Sequence, residues 1–302
     1  MTHELNGVAT LAHLGVIRVQ GEEAAKFLQG QLTQDFALLG DAQARLAAFC
    51  SPKGRMQASF IGLRRAPDDI LLVCSLDILA PVLKRLSMFV LRAKAKLTDA
   101  TADFSLLGLA GASCPAIGTQ VPWERMDDGA ASLVALYPAA GQALALWVAP
   151  AGHPAPPDPV LNLDSWLWGE VLSGIVTITA PIVDAFVPQM LNYESVGGVN
   201  FRKGCYPGQE VVARSQFRGT LKRRAFVVHA GAPLAAGQDV FHESDATQPC
   251  GRVAQAAQSP QGGFNAIVSM QLSAADGGRL WAGDAGNTLA LQPLPYLLAD
   301  DV

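Results

Sequence analysis

Residues 199–224 read VNFRKGCYPGQEVVARSQFRGTLKRR. Two glycines, Gly204 and Gly208, flank a cysteine and force a sharp turn. Pro207 then suits the first position of a short helix, predicted over 207–215. Between Arg202 and Arg224 lie Arg202, Lys203, Arg214, Arg218, Lys222, Arg223 and Arg224, against the single acid Glu210. A chain of formal net charge −4 that gathers its cations here has a local positive field. Such a field suits a polyanion: a polyglutamate tail, a phosphate or an RNA backbone. Cys205 sits inside it. A cation two residues away and nearby helix-terminal N–H groups favour thiolate over thiol. Cys205 is therefore a candidate nucleophile or metal-contacting thiolate, although for a lone cysteine a small apolar residue in a tight turn is the commoner reading. Glu210 reads as a helix-start acid, as the i,i+4 partner of Arg214, or as a holder of a protonated amine.

Downstream, the grammar changes at about residue 220. Short strands at 225–230, 238–242, 250–256, 264–270 and 287–292 alternate with Gly, Pro and Asp turns, which predicts a small antiparallel barrel. The run Lys222-Arg223-Arg224 at this boundary is short and lacks interleaved aromatics, which favours a linker over RNA contact.

Upstream, 11–19 reads as a strand and Gly21 opens a helix ending in the polar string Gln29, Gln31, Thr33, Gln34. That string is either a pocket lining or a solvated helix end. Strands at 45–50 and 55–63 flank the turn Ser51-Pro52-Lys53-Gly54. A strand at 70–75, a helix over 77–90 and a strand at 94–98 complete an α+β layer with antiparallel pairs. Further strands follow near 104–110, 132–136 and 143–149. Residues 150–159 hold five prolines and read as a linker. A helix over 165–172, with Asp164 as its cap, carries Trp166 and Trp168 on different faces. Residues 173–200 read as loops. The predicted divisions are 1–220, as two interleaved α+β subdomains with the second at about 45–105, and 221–302.

The chain has 302 residues, half of them apolar and 16% charged, enough for a sizeable core and unlike a disordered protein. Its five cysteines form no C-x-x-C pair, and its five histidines no H-x-x-x-H, so a zinc ribbon is excluded and no metal site is expected. No apolar run is long enough to span a bilayer, and the first residues lack signal-peptide grammar, so a cytoplasmic protein with free thiols and no membrane partner is expected.

Lys203-Gly204-Cys205-Tyr206-x-Gly208-Gln209-Glu210, followed by Ala213-Arg214 and Arg218-Gly219, resembles the signature of the YgfZ family. These are folate-binding, tRNA-modifying proteins related to the aminomethyltransferase (T-protein) of glycine cleavage and to mitochondrial iron–sulfur assembly factors. Residues 11–35, the hairpin Cys50–Arg55 and the stretch Phe186 to Asn192 are similar to the same family. The resemblance implies an α+β, three-domain T-protein-like ring of antiparallel sheets with helices and a small C-terminal β-barrel. It implies tetrahydrofolate or a derivative as cofactor, and iron–sulfur client enzymes or assembly proteins as partners. Direct tRNA contact is the less favoured reading. The implied working residues are Cys205 with Lys203 beside it. Arg202, Tyr206, Gln209, Glu210, Arg214, Arg218, Trp166 and Gln189 are the implied folate contacts. The acid that grips the pteridine in true aminomethyltransferases falls near Met190, and Gly54 to Ser59 carries no carboxylate. That departure favours an accessory protein for assembly or repair of iron–sulfur enzymes, acting indirectly on tRNA modification. A folate-dependent one-carbon transferase acting on a small amine is the alternative.

Overall fold

The structure is a computed structural model and describes residues 5–115, 121–217, 221–283 and 286–299. Two five-stranded sheets, both paired antiparallel, precede a closed six-stranded barrel. The second sheet is inserted into the first. Gly7–Thr10 starts the chain's first sheet and pairs with Phe104–Ala110, and Arg125–Asp128, Ala131–Ala135 and Leu144–Pro150 complete it. Everything in between builds the other layer. Its strands, in spatial order, are Ala44–Cys50, Met56–Ala66, Asp69–Ser75, Leu14–Gln20 and Lys96–Asp99. The layer therefore takes in Leu14–Gln20 as well as residues from 44 onward. The helix Leu76–Ser87 packs Ile78, Leu79, Val82 and Leu86 into the core at helical spacing.

The barrel runs from Arg223–Ala230 to Thr288–Gln292. Strand alternation divides its residues cleanly. Val228, Val240, Val253, Ala266 and Val268 fill its interior. Val227, Ala254 and Ile267 belong to the main core shared with the sheets. The barrel is thus bolted to the rest of the molecule by one apolar flank.

The helix Leu163–Leu172 lies between sheet and barrel. Its residues are apolar on nearly every side, as a helix covered on both faces requires. Trp166 rests on Gly108, where an added Cβ would stand 2.5 Å from the indole. Trp168 donates its indole N–H to Asn265 of the barrel at 2.9 Å. The cap is Asn162, whose side chain accepts from the Ser165 amide at 2.7 Å. Asp164, the expected cap, falls within the first turn instead. The proline-rich stretch does more than link, because Val8 donates to Pro159 O and Leu161 donates to Val8 O along the sheet edge. Three short strands escaped the sequence reading, Gly7–Thr10, Arg125–Asp128 and Leu280–Ala282, as did the one-turn helix Leu272–Ala275.

Candidate functional site

Two separate centres emerge. The first is the turn that carries Cys205. The helix begins at Gln209, later than expected, so Pro207 precedes it and Gly208 closes the turn at φ +80°. Gly208 lies against the hairpin Ser51–Arg55: a Cβ on it would stand 2.4 Å from Ser51 O and 2.8 Å from the Gly54 Cα. Gly54, at φ +70°, is similarly crowded by Val211. The two motifs therefore touch backbone to backbone.

Cys205 is exposed. Cys50, Cys74 and Cys250 are buried and Cys114 is half-buried. Burial pushes the Cys50, Cys74 and Cys114 thiols up to about 12, so near neutral pH they stay protonated. The Lys203 ammonium donates to Gln29 O and Leu32 O, each at 2.5 Å, and lies 4.8 Å from the Tyr206 ring centre. Lys203 thus closes the end of the first helix. Burial lowers the Lys203 ammonium to about 8, against the opposing pull of Asp35 and Cys205. The sign follows: between about pH 8 and 10.5 the folded chain holds fewer protons than the unfolded one, so stability rises with pH there. Urea unfolding of wild type and Lys203→Met across that window should show the wild type gaining relative to the variant. Parallel curves would refute it.

The polar string before it proves to be a buried spine. Thr33 Oγ donates to Gly198 O and accepts from the Ala48 amide, Gln34 donates to Gly197 O, and the Asn200 amide donates to Thr33 O. Thr33 and Gln34 are thus buried rather than solvated, whereas Gln29 and Gln31 are half-buried. Gln189 is fully buried; its amide donates to Val212 O at 2.7 Å and so holds the Cys205 helix, while its side-chain oxygen has no partner among the described residues. Asn192 likewise clamps Ala225 of the barrel through both its side-chain amide atoms. Tyr206 is buried. Glu210 and Arg214 pair with each other on the exposed face of the helix. Arg202 is exposed, Gln209 half-buried, and Arg218 lies outside the described residues.

The second centre is a cavity of about 530 Å³ where helix Leu163–Leu172, the end of strand Asp69–Ser75 and barrel strand Gly251–Gln258 meet. His13, Asp77, Glu170, Thr177, Thr179 and Gln255 give it polar groups on an apolar wall. None of the described residues between 199 and 224 lines it. Glu170 is its focus. The carboxylate accepts from the Trp166 indole at 2.9 Å, faces His13 Nε2 at 3.4 Å, and has Gln255 Nε2 at 3.4 Å from its second oxygen. His13 Nδ1 is buried with no partner among the described residues. A smaller cavity of about 50 Å³ continues from Glu170 past Trp166, Ser59, Cys74 and Tyr193. Trp166 lines this smaller cavity, and its ring packs against Gly108. Met190 does not line either cavity; it sits 3.9 Å from Arg55 Nη1. The sequence reading missed Glu170, His13 and Gln255. A lone acid in the apolar run LDSWLWGEVL was the available signal.

Among the described residues no group of three or more His, Cys, Asp or Glu side chains is placed to hold a metal ion, and no helix is long and apolar enough to cross a membrane.

Two layered antiparallel sheets followed by a closed six-stranded barrel make the fold of the glycine-cleavage T-protein class. The aminomethyltransferase T of the glycine cleavage system from Bartonella henselae matches with a TM-score of 0.71 over 97% of this chain and 87% of its own, at 15% identity. The family model described as GCVT N-terminal domain matches residues 1–133. The tRNA-modifying protein YgfZ of Edwardsiella ictaluri is 33% identical over 300 residues, 93% of this chain and 89% of that relative. Those of Enterobacter sp. and Klebsiella pneumoniae are 31% and 30% identical, covering 93% and 96% of the chain and 90% and 93% of their own lengths. The chain belongs to the YgfZ family.

Proposed function

We propose that the chain binds a reduced folate in the Glu170 cavity and serves the assembly or repair of iron–sulfur enzymes, through which it acts on tRNA modification. The observation that carries the folate reading is the placement of Glu170. A carboxylate with unspent acceptor capacity, beside His13, Thr177 and Gln255, suits a heterocycle that offers an amino group and a ring N–H side by side. The cavity volume lies within the range of small-molecule sites, about 300–1,000 Å³. Tetrahydrofolate, when bound, supplies ring nitrogens able to carry a one-carbon unit. The chain's own part is to orient the ring through Glu170 and to exclude water with the apolar wall of Leu76, Leu167 and Ala254.

Cys205 is proposed as the working thiol because it alone among the five cysteines is exposed. A single thiolate is too few to hold a cluster, so a partner protein must supply the other ligands. Cys205→Ala should melt and bind 5-formyltetrahydrofolate like the wild type, yet fail to restore iron–sulfur enzyme activity in a strain lacking the protein. Full restoration would remove the thiol from the mechanism. Robust folate-dependent turnover of a small amine, without any iron–sulfur client, would favour the transferase instead.

A further inference from the structure

A further, polar cavity of about 280 Å³ lies at the junction of the hairpin, the loop 185–190 and the barrel. Its wall holds Arg55, Arg223, Arg252, Asp239 and Ser269. The three arginines come from three different strands or turns, and each is anchored by only part of its guanidinium. Arg55 donates to Ala185 O at 2.6 Å, and Arg223 to Cys250 O at 2.8 Å. Arg252 donates through Nε to Asp239 Oδ1 at 2.9 Å, with Nη2 2.8 Å from the same oxygen. A guanidinium has five N–H donors, so each retains donors for something else. Ser269 is 1% exposed, and its hydroxyl has no partner among the described residues although it lies on the cavity wall. A buried hydroxyl without a partner costs stability unless a ligand satisfies it.

We propose that this junction binds a phosphate monoester. Three guanidinium groups against one carboxylate leave an excess of two positive charges, which a dianion neutralises and a single carboxylate or a phosphodiester does not. The hydroxyl of Ser269 and the guanidiniums of the arginines come from separate segments of the chain, which offers donors to more than one oxygen of a tetrahedral anion. The volume exceeds that of a phosphate group, leaving space for the first atoms of the group that bears it. This site shares no lining residue with the Glu170 cavity and does not depend on folate binding.

The test is calorimetric titration of the full chain at constant ionic strength with glycerol phosphate, dimethyl phosphate and triglutamate. Glycerol phosphate should bind saturably. Arg223→Gln with Arg252→Gln should weaken it by about 10-fold or more, and Ser269→Ala by about 3-fold. Asp239→Asn should tighten it several-fold, because it removes the competing carboxylate; this variant carries the test if the double substitution does not fold. Equal affinity for dimethyl phosphate would overturn the dianion assignment. Tighter binding of triglutamate would give the site to a folate tail. Absence of saturable glycerol phosphate binding, or an Asp239→Asn variant no tighter than wild type, would overturn the proposal altogether.

Discussion

Glu170→Gln should weaken 5-formyltetrahydrofolate binding by about 10- to 100-fold while leaving the melting temperature close to that of the wild type. A hydrogen bond to a charged group contributes about 1.5–3 kcal/mol, which is that span of affinity. The glutamine carbonyl can still accept from the Trp166 indole, so the buried N–H keeps its partner. Alanine cannot, and Glu170→Ala should also lose about 1–3 kcal/mol of stability from the indole left unsatisfied. The contrast between the two variants separates ligand contact from packing. If Glu170→Gln binds folate as tightly as the wild type, the ligand is held elsewhere and the cavity assignment is wrong.

Arg224→Ala should destabilise the fold by about 3–5 kcal/mol, the cost of stranding one member of a buried ion pair. Arg224 pairs with Glu194 at 2.5 Å, with side chains only 4% and 2% exposed, and it also donates to Ala299 O at 2.8 Å. Removing it leaves the Glu194 carboxylate without its counter-charge inside the seam between loop and barrel. Urea unfolding measures this directly, and a loss below about 1 kcal/mol would contradict it. The run Lys222-Arg223-Arg224 reads in sequence as three equivalent cations. In the fold Arg224 is a structural bolt and Arg223 lines a cavity. Replacing both at once to probe RNA contact would report chiefly on folding.

Most of the architecture was legible because strand and helix periods survive in the sequence. The alternating barrel strands and the hairpin around Ser51–Gly54 fall within a few residues of where the pattern puts them. Gly7–Thr10 was not legible, since four residues carry too little period and its partner lies about a hundred residues away. The site was less readable than the fold. The glycines and Cys205 announce a turn, and the turn is there. The function of Lys203 was hidden, because what an ammonium does depends on which carbonyls surround it, and those belong to residues 29 and 32. Glu170 was hidden for the same reason: its partners His13 and Gln255 are 157 and 85 residues distant in the chain. Local pattern reports what a residue is beside in the chain. It does not report what the fold later brings against it.

The contact between Gly54 and Gly208 has an evolutionary corollary. Neither position has space for even a methyl group: one on Gly208 would meet Ser51 and Gly54 of the hairpin, and one on Gly54 would meet Val211 just beyond the cysteine turn. A lineage that acquired a larger residue at one would be pushed to reshape the other loop before the protein could fold again. The hairpin and the cysteine turn should therefore diverge in step, drifting as a single inherited unit although about 150 residues separate them.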